Sequence, residues 1–385
     1  MSRNGPAQGP HFATPAGKPR GRALGLPFGG RAGEWNAITD VPGVEVGYVT
    51  LIEGSDVRTG VTAIHPRSAE PGDPVAAGFH SQNGNGEMTG VSWIEESGTF
   101  SGPIAITNTH AVGIAHAGII AWTVRHHRQL AGTWLMPVAA ETWDGYLNDV
   151  NGHHVTEAHV VEALERARSG PVEEGSVGGG TGMNCYGFKA GSGTSSRLVG
   201  YAGSAYTVGV FLQANFGSRA ELVLGGVPLG GQLAADDPMS ERFSQPPPGA
   251  GSCIAIVATD APLFPHQLKA FARRVTAGLA RTGTTGSHFS GDLFLAFSTA
   301  NPGAFTPPLA TLSAGRGHYD HLGFVPWGHL DPFYEAVVQA TEEAVANALV
   351  ANEEMTGRDG HRSPGLPRER VAELARQARR LPGTE

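Results

Sequence analysis

The junction between Gly251 and Ser252 is the place where residue types most directly suggest covalent chemistry. Residues 232–251 are polar and Pro- and Gly-rich, which predicts a mobile surface loop, whereas residues 253–259 are apolar and predict a core strand. A cut before Ser252 would leave its hydroxyl beside a new α-amine, whose ordinary pKa of about 7.7–8.0 suits a base at neutral pH. Gly251 would tolerate the strained backbone in which that hydroxyl attacks the preceding carbonyl. Taken alone, the dipeptide also fits a loop that merely ends in Gly-Ser.

Ser290 and Asp292 lie at the start of the apolar strand predicted over residues 293–297. Side chains two residues apart on a strand point to the same side, so this pair could orient and relay protons around a nucleophile. The alternative is a capped turn, because Ser and Asp are ordinary turn residues.

Residues 141–149 combine three acids, two aromatic residues and an amide, namely Glu141, Trp143, Asp144, Tyr146, Asn148 and Asp149. A carboxylate beside aromatic rings is suited to binding a substrate ammonium group. A polar loop anchored by its aromatic side chains would have the same composition.

Other motifs give little support for a nucleotide or metal site. The Gly-rich residues 83–90 and 178–182 lack the Gly-Lys-Ser/Thr of a phosphate loop and the spacing of a dinucleotide motif, and they favour tight turns near a site. His153, His154 and His159 are not three or four residues apart, so they do not share a helix face. We therefore expect neither a metal nor a cofactor.

Composition excludes several classes of protein. The chain has 385 residues, a net charge of −8 and no run of apolar residues long enough to span a membrane, so we expect neither a basic nucleic-acid surface nor a membrane segment. Its 56 glycines are about twice the usual share and predict many tight turns or close backbone approaches. The two cysteines, Cys185 and Cys253, cannot form a disulfide framework and favour a reducing compartment, the cytoplasm.

Strands occur in runs with helices between some of them, which predicts a layered α+β fold. Residues 1–23 are basic and rich in Gly and Pro, which predicts a flexible arm and not a secretory signal. Strands are predicted within 35–50 and over 61–64, 103–108, 222–229, 253–259 and 292–298, with a hairpin over 197–213. Helices are predicted over 111–129, 155–168, 265–281, 331–352 and 369–380, with Asp331 as an N-cap.

Taken together, these segments resemble the DmpA-type aminopeptidases, the family of L-aminopeptidase/D-esterases and β-peptidyl aminopeptidases. Each motif is weak alone, but their order from about residue 24 to about residue 350 is highly specific. The matching segments are residues 36–47, 58–64, 85–90, 93–98, 141–149, 177–183 and 213–217, the pair Gly251 and Ser252, and residues 290–301.

The resemblance implies a four-layer α/β/β/α sandwich that cleaves itself between Gly251 and Ser252. The large subunit would then be residues 24–251 and the small subunit residues 252–385, both within one sandwich domain. Ser252 would be the nucleophile of self-cleavage and of catalysis, and its freed α-amine the general base or a proton relay. The resemblance also implies a homotetramer.

The family also implies roles for other residues. Ser290 and Asp292 match its supporting Ser-Gly-acid pair, and Asn215 matches an amide that donates to the oxyanion. Tyr146 matches a tyrosine beside the nucleophile that also stabilises the oxyanion.

Glu141 matches the carboxylate that holds the free ammonium group of a peptide or amide substrate, in a pocket that we expect Trp143 and Tyr146 to close. His288 and Phe289 depart from the family pattern, which has a small residue before Ser290. This departure affects the pocket wall and therefore the size of the substrate.

The sequence leaves three other interpretations to test. An acyltransferase of the ornithine acetyltransferase type has a related fold but a Thr nucleophile, and a hydrolase of aminohexanoate oligomers favours Thr after Asn. Gly251 and Ser252 argue against both. The third interpretation is an uncleaved protein that binds a small molecule. The leading hypothesis remains a self-processing serine aminopeptidase or amidase for substrates with a free amine, whether α-peptides, β-peptides or D-amino-acid amides and esters.

Overall fold

The computed structural model describes residues 9–69, 72–242, 251–305 and 319–379. Within them, the α-helices are α1 (Val91–Ser97), α2 (Val112–His126), α3 (Glu157–Glu165), α4 (Pro238–Arg242), α5 (Pro265–Ala280), α6 (Asp331–Val350) and α7 (Arg368–Ala378). The strands of the first half are β1 (Glu45–Glu53), β2 (Val57–Ala69), β3 (Val75–Gly84), β4 (Thr99–Phe100), β5 (Ile104–Asn108) and β6 (Val138–Thr142). The remaining strands are β7 (Asn184–Cys185), β8 (Phe188–Lys189), β9 (Ser192–Tyr201), β10 (Ser204–Asn215), β11 (Val223–Leu224), β12 (Val227–Pro228), β13 (Gly251–Thr259), β14 (Ser290–Ser298), β15 (Met355–Thr356) and β16 (Arg362–Ser363).

Two sheets organise the fold. The smaller sheet has the strand order β1-β2-β5-β6, and the larger has the order β4-β3-β14-β13-β10-β9. In the larger sheet β13 runs antiparallel to β10 and parallel to β14. The strand that contains Ser252 is therefore central and hydrogen-bonded to a neighbour on each side.

Alternating side chains of β13 divide two cores. Ile254 and Ile256 pack between the sheets with Ile64 and Ile106 of the smaller sheet. The alternate residues, among them Cys253, face a second core that α5 and α6 cover. A third core lies between the smaller sheet and helices α2 and α3. These four layers confirm the α/β/β/α sandwich and its α+β class.

Most predicted elements are present, with local corrections. The hairpin is formed by β9 and β10, but residues 35–50 contain a 3-10 helix, Ile38–Asp40, before β1, and residues 222–229 form a short two-stranded hairpin. Asp331 is the first residue of α6, and Leu330 is its N-cap. The predicted loop over 232–251 contains the end of a 3-10 helix, Gly230–Leu233, and then α4, and its residues 243–250 lie outside the described residues.

The N-terminal segment corrects one expectation more strongly. Residues 9–23 of the predicted flexible arm pack on the sandwich, while residues 1–8 lie outside the described residues. Arg20 is only 3% exposed; its Nε donates to Glu174 at 2.7 Å, and its guanidinium also donates to the backbone oxygens of Asn36 and Thr194. Composition could not indicate this, because Glu174 and Thr194 are more than 150 residues away along the chain.

A second buried ion cluster holds the same segment to α6. Arg22 and Arg197 both donate to the carboxylate of Glu343, at 2.6 and 2.7 Å. Burial alone would raise the pKa of Glu343, but the two guanidinium groups lower it below its usual value. Glu343 therefore stays ionised at neutral pH and ties the N-terminal segment to the sandwich.

Breaking the buried pair of Arg20 should destabilise the protein far more than breaking an exposed pair beside it. Arg20→Met leaves Glu174 buried without its partner, and we expect the free energy of unfolding to fall by about 3–5 kcal/mol. Lys18→Met is the matched control, because Lys18 is 36% exposed and pairs with the neighbouring Glu173; here the loss should stay below about 1 kcal/mol. Urea unfolding of both variants, each combined with Ser252→Ala so that the chain stays in one piece, gives the comparison, and equal midpoints would contradict the expectation.

Candidate active site

Ser252 is the second residue of β13 and lies in the wall of a cavity of about 400 Å³. The side chain is almost completely buried, with 2% exposure. The cavity is lined by Asn85, Gly86, Glu87, Thr109, Glu141, Trp143, Asn184, Gly187, Asn215, Phe216, Gly217, Met239, Gly251 and Phe289, together with Ser252 itself.

Two N–H groups converge on the hydroxyl oxygen of Ser252. The backbone N–H of Trp143 donates to Oγ at 3.0 Å, and Nδ2 of Asn215 donates to it at 3.2 Å. Asn215 is the direct pairing partner of Ser252 on β10, so the strand register itself places this amide. Donors fixed in this way stabilise negative charge at or next to the oxygen.

Glycine is required where the backbones crowd around this position. A Cβ atom on Gly251 would lie 1.8 Å from the carbonyl oxygen of Asn215, and one on Gly291 would lie 2.1 Å from that of Asn85. Any larger residue would therefore push β10 or the loop at Asn85 away from β13. The sequence predicted that Gly251 tolerates a strained backbone. The structure adds that glycine is required here because β10 and β13 approach each other so closely.

Ser290 and Asp292 share a strand face, as expected. The hydroxyl of Ser290 donates to Oδ1 of Asp292 at 2.7 Å, and Nδ2 of Asn83 donates to Oδ2 at 3.2 Å. Burial raises the pKa of Asp292, and these two hydrogen bonds lower it only in part.

The strand register shows whether Ser290 and Asp292 lie near the backbone or near the side-chain oxygen of Ser252. Gly291 pairs with Ser252, while Ser290 pairs with Gly251 and Asp292 with Cys253. Because side chains alternate, Ser290 and Asp292 point to the helix-covered face, opposite to the side chain of Ser252. The pair therefore lies beside the backbone at the junction and not beside Oγ.

Glu141 comes from the other sheet, on β6. It is 3% exposed, Oε1 accepts a hydrogen bond from the backbone N–H of Glu87 at 2.9 Å, and Oε2 accepts one from the hydroxyl of Thr109. Burial raises the pKa of Glu141, and these hydrogen bonds offset part of the effect. The structure thus brings a buried carboxylate into the same cavity as Ser252.

Tyr146 is buried against the segment that contains His361 and Arg362. It is 1% exposed, and its hydroxyl donates to the carbonyl of Arg362 at 3.2 Å. Its ring stacks on His361 with centroids 4.7 Å apart. Among the described residues that line the cavity, Trp143 is present and Tyr146 is not. These contacts pack Tyr146 against residues 361–362, and its role at the oxyanion stays a prediction.

Asp144 is a further buried acid in the segment that carries Trp143. It is fully buried and accepts a hydrogen bond from Nδ2 of Asn148 at 3.1 Å. Burial raises the pKa of Asp144 to about 7. Asp144 directly follows Trp143 in the chain. Its carboxyl group therefore helps to shape the loop that presents the Trp143 N–H.

Several site residues were not singled out from the sequence. Asn83 supports Asp292, Glu87 and Thr109 hold Glu141, and Asn184 contacts Asn215. The Gly-rich run over 83–90 gave a signal, because tight turns near a site were expected there, but no local pattern indicated Thr109 or Asn184.

No group of His, Cys, Asp and Glu that could hold a metal ion is found within the described ranges. Both cysteines are buried and free, and burial raises the pKa of each thiol. Among the helices that the structure describes, none is long and apolar enough to cross a membrane.

The comparisons with curated proteins give two close relatives, both β-peptidyl aminopeptidases named BapA. The protein from Sphingosinicella microcystinivorans is 46% identical, with 96% of this chain and 95% of the relative covered. The protein from Sphingosinicella xenopeptidilytica is 44% identical, with 92% and 90% covered.

Solved structures agree with these relatives. The L-aminopeptidase D-Ala-esterase/amidase of Ochrobactrum anthropi, described as a prototype of the serine aminopeptidases and a variant of the Ntn hydrolase fold, superposes with a TM-score of 0.87. It is 46% identical, and 94% of this chain and all of that chain are covered. A β-aminopeptidase from Burkholderia sp. gives a TM-score of 0.85 at 42% identity, with 94% and 100% covered.

Residues 36–363 match peptidase family S58, so the match covers most of the chain. With the Ser252 cavity, the sandwich fold and these relatives in agreement, the chain belongs to peptidase family S58 and is a serine aminopeptidase of the Ntn hydrolase fold.

Proposed function

We propose that Ser252 is the nucleophile of this aminopeptidase and also cuts the chain before itself. The observation that carries the proposal is the convergence of two N–H donors on Ser252 Oγ, in a cavity that also holds the Glu141 carboxylate. The comparisons do not favour an acyltransferase or an uncleaved binding protein.

Self-cleavage would start with attack of Ser252 Oγ on the carbonyl carbon of Gly251. The C–N bond between Gly251 and Ser252 breaks as the ester between the Gly251 carbonyl carbon and Oγ forms. The nitrogen takes the proton that the hydroxyl gives up and becomes the α-amine of Ser252. Water then hydrolyses the ester and leaves a carboxylate on Gly251. The large chain would end at Gly251 and the small chain would contain residues 252–385, both within one sandwich domain.

In turnover, the freed α-amine would accept the proton of the Ser252 hydroxyl as Oγ attacks the substrate carbonyl. Nδ2 of Asn215 and the N–H of Trp143 would stabilise the negative oxygen of the tetrahedral intermediate, and such a donor is typically worth about 3 kcal/mol. The leaving amine takes the proton, and water hydrolyses the acyl-enzyme. Ser290, held by Asp292, faces the strand position of the new α-amine and would orient it.

Glu141 would bind the free ammonium group of the substrate. Its carboxylate is desolvated, so a charge-assisted hydrogen bond to an ammonium is stronger than it would be in water. Trp143, Phe289 and Met239 provide apolar surface in the same cavity. Of these, Phe289 is the departure noted in the sequence, and it is 50% exposed at the cavity wall.

The substrates proposed are short peptides and amides with a free amine, including those that begin with a β-amino acid. The names of the curated relatives and of the Burkholderia enzyme support β-peptides, and that of the Ochrobactrum enzyme supports L-amino and D-alanyl substrates. Comparing hydrolysis of β-alanyl, L-alanyl and D-alanyl p-nitroanilides measures this preference. Turnover of L-alanyl anilide without β-alanyl anilide would contradict the β-peptide assignment.

The tetramer and the cytoplasmic location implied at the start remain predictions. Sedimentation velocity of the purified protein tests the first, and fractionation of the producing cells tests the second.

Ser252→Ala should remain one chain and lose all hydrolytic activity, because one oxygen serves both reactions. The normal protein should give two bands on a denaturing gel, and N-terminal sequencing of the smaller should read Ser-Cys-Ile-Ala. Ser298→Ala is the control: this buried hydroxyl at the end of β14 donates to the carbonyl of Ala261, and its removal should leave both reactions intact. A Ser252→Ala chain that is still cut would refute self-cleavage by this residue.

Glu141→Gln should lower kcat/KM for free-amine substrates at least tenfold, because the substrate ammonium loses its negatively charged partner and keeps only a hydrogen bond to a neutral amide. Self-cleavage should persist, since it involves no substrate amine.

Glu87→Gln removes an exposed acid from the same cavity wall and should change kcat/KM less than threefold. N-acetylation of the substrate should abolish the difference between Glu141→Gln and the normal enzyme. Failure of Glu141→Gln to process would instead indicate a structural role.

A further inference from the structure

Lys189 is a buried lysine next to the active site that the mechanism above does not use. Its side chain has no exposure, and Nζ donates to the carbonyl oxygens of Met183 at 2.9 Å and of Ala190 at 2.6 Å. Within the described part of the chain, no carboxylate contacts this group. Burial lowers the pKa of Lys189 well below its ordinary value, and the charge of Lys18 adds to the effect.

Such a lysine does not serve stability well. Burying an amine or ammonium group without a carboxylate partner is unfavourable, and an apolar side chain of similar length would fill the same space without that penalty. The role of Lys189 is therefore sought in the carbonyl oxygens to which it donates, and not in its burial.

The peptide group between Met183 and Asn184 connects this lysine to the catalytic centre. Its carbonyl oxygen accepts from Lys189 Nζ at 2.9 Å and from the backbone N–H of Ala190 at 3.0 Å, and its N–H donates to Oδ1 of Asn215 at 3.0 Å. Because a peptide group is rigid and planar, the two donors that fix its oxygen also fix the direction of its N–H. The donor that Lys189 adds on the oxygen also polarises the N–H, since linked hydrogen bonds reinforce one another.

The N–H of Asn184 in turn determines which way the Asn215 amide points. With Oδ1 held by this donor, Nδ2 is directed to Ser252 Oγ at 3.2 Å and to the Trp143 carbonyl at 2.8 Å. If the amide rotated by half a turn, its oxygen would face Ser252 and the donor would be lost.

We propose that Lys189 is a positioning residue, which orients the Asn215 amide toward Ser252 through the Met183–Asn184 peptide group. This inference rests on the proposed role of Asn215 at the oxyanion. The relay runs from Lys189 through the Met183–Asn184 peptide group and Asn215 to Ser252, and so joins five residues by one continuous line of hydrogen bonds.

A double-mutant cycle tests the relay. Lys189→Met keeps the length of the side chain but removes its donors, and kcat should fall at least tenfold while KM stays within twofold. Asn215→Ala alone should lower kcat about a hundredfold. In the Asn215→Ala background, Lys189→Met should change kcat less than twofold, because the group through which it acts is absent. All rates are divided by the amount of small chain on a gel, so that incomplete processing does not distort them.

Controls separate positioning from general stability. Ser195→Ala removes another buried donor to a carbonyl, that of Ala340 on α6, and should leave kcat unchanged whatever it does to the melting temperature. If Lys189→Met does not fold, Lys189→Gln takes its place in the cycle, because its amide retains an N–H donor, and its loss of kcat should be smaller but should likewise vanish without Asn215.

The relay is overturned if Lys189→Met keeps its kcat, or if it loses the same factor with and without Asn215. Full activity of Asn215→Ala alone would refute the oxyanion role of Asn215 and the relay with it, a result that the single variant distinguishes from failure of Lys189. Loss of activity by Ser252→Ala, measured in parallel, tests the nucleophile independently of both.

Discussion

The pairing of β13 with both of its neighbours is the constraint on which the site depends. It sets Ser252 opposite Asn215 on one side and opposite Gly291 on the other. The backbones approach so closely there that Gly251 and Gly291 cannot carry a side chain. Ser252, which we propose as the nucleophile, and its neighbours Asn215 and Ser290 are thus positioned by the hydrogen-bond ladder of a central strand, which is among the most rigid parts of a fold.

The four layers explain why the rest of the site comes from another sheet. Glu141 and Trp143 lie on and just after β6, and the core between the sheets brings that strand end against the start of β13. The side chain of Ser252 points into this space, whereas Ser290 and Asp292 point to the helix layer. The side-chain oxygen of Ser252 therefore lies on one face of the sheet, and the pair that we propose to support its future α-amine lies on the other.

Much of this arrangement could be predicted from the sequence because its signals are local. The contrast between a Pro-rich run and an apolar strand indicated Ser252, and the two-residue spacing indicated the bond between Ser290 and Asp292. Partners remote in the chain left no such signal: Arg20 with Glu174, and Asn184 with Asn215, meet only after the sheets form. The stacking of Tyr146 on His361 likewise joins residues that are remote in the chain, and the oxyanion role that the resemblance implies for Tyr146 remains a prediction.

The interleaving of strands in the larger sheet has a consequence for the durability of the enzyme. If the bond before Ser252 is cut as we propose, β13 and β14 of the small chain would lie between β3 and β10 of the large one. The two chains could not then part without opening the sheet, and a denatured sample would have to refold by association at a concentration-dependent rate. The cut would therefore replace an equilibrium free energy by an unfolding rate as the measure of how long the enzyme survives.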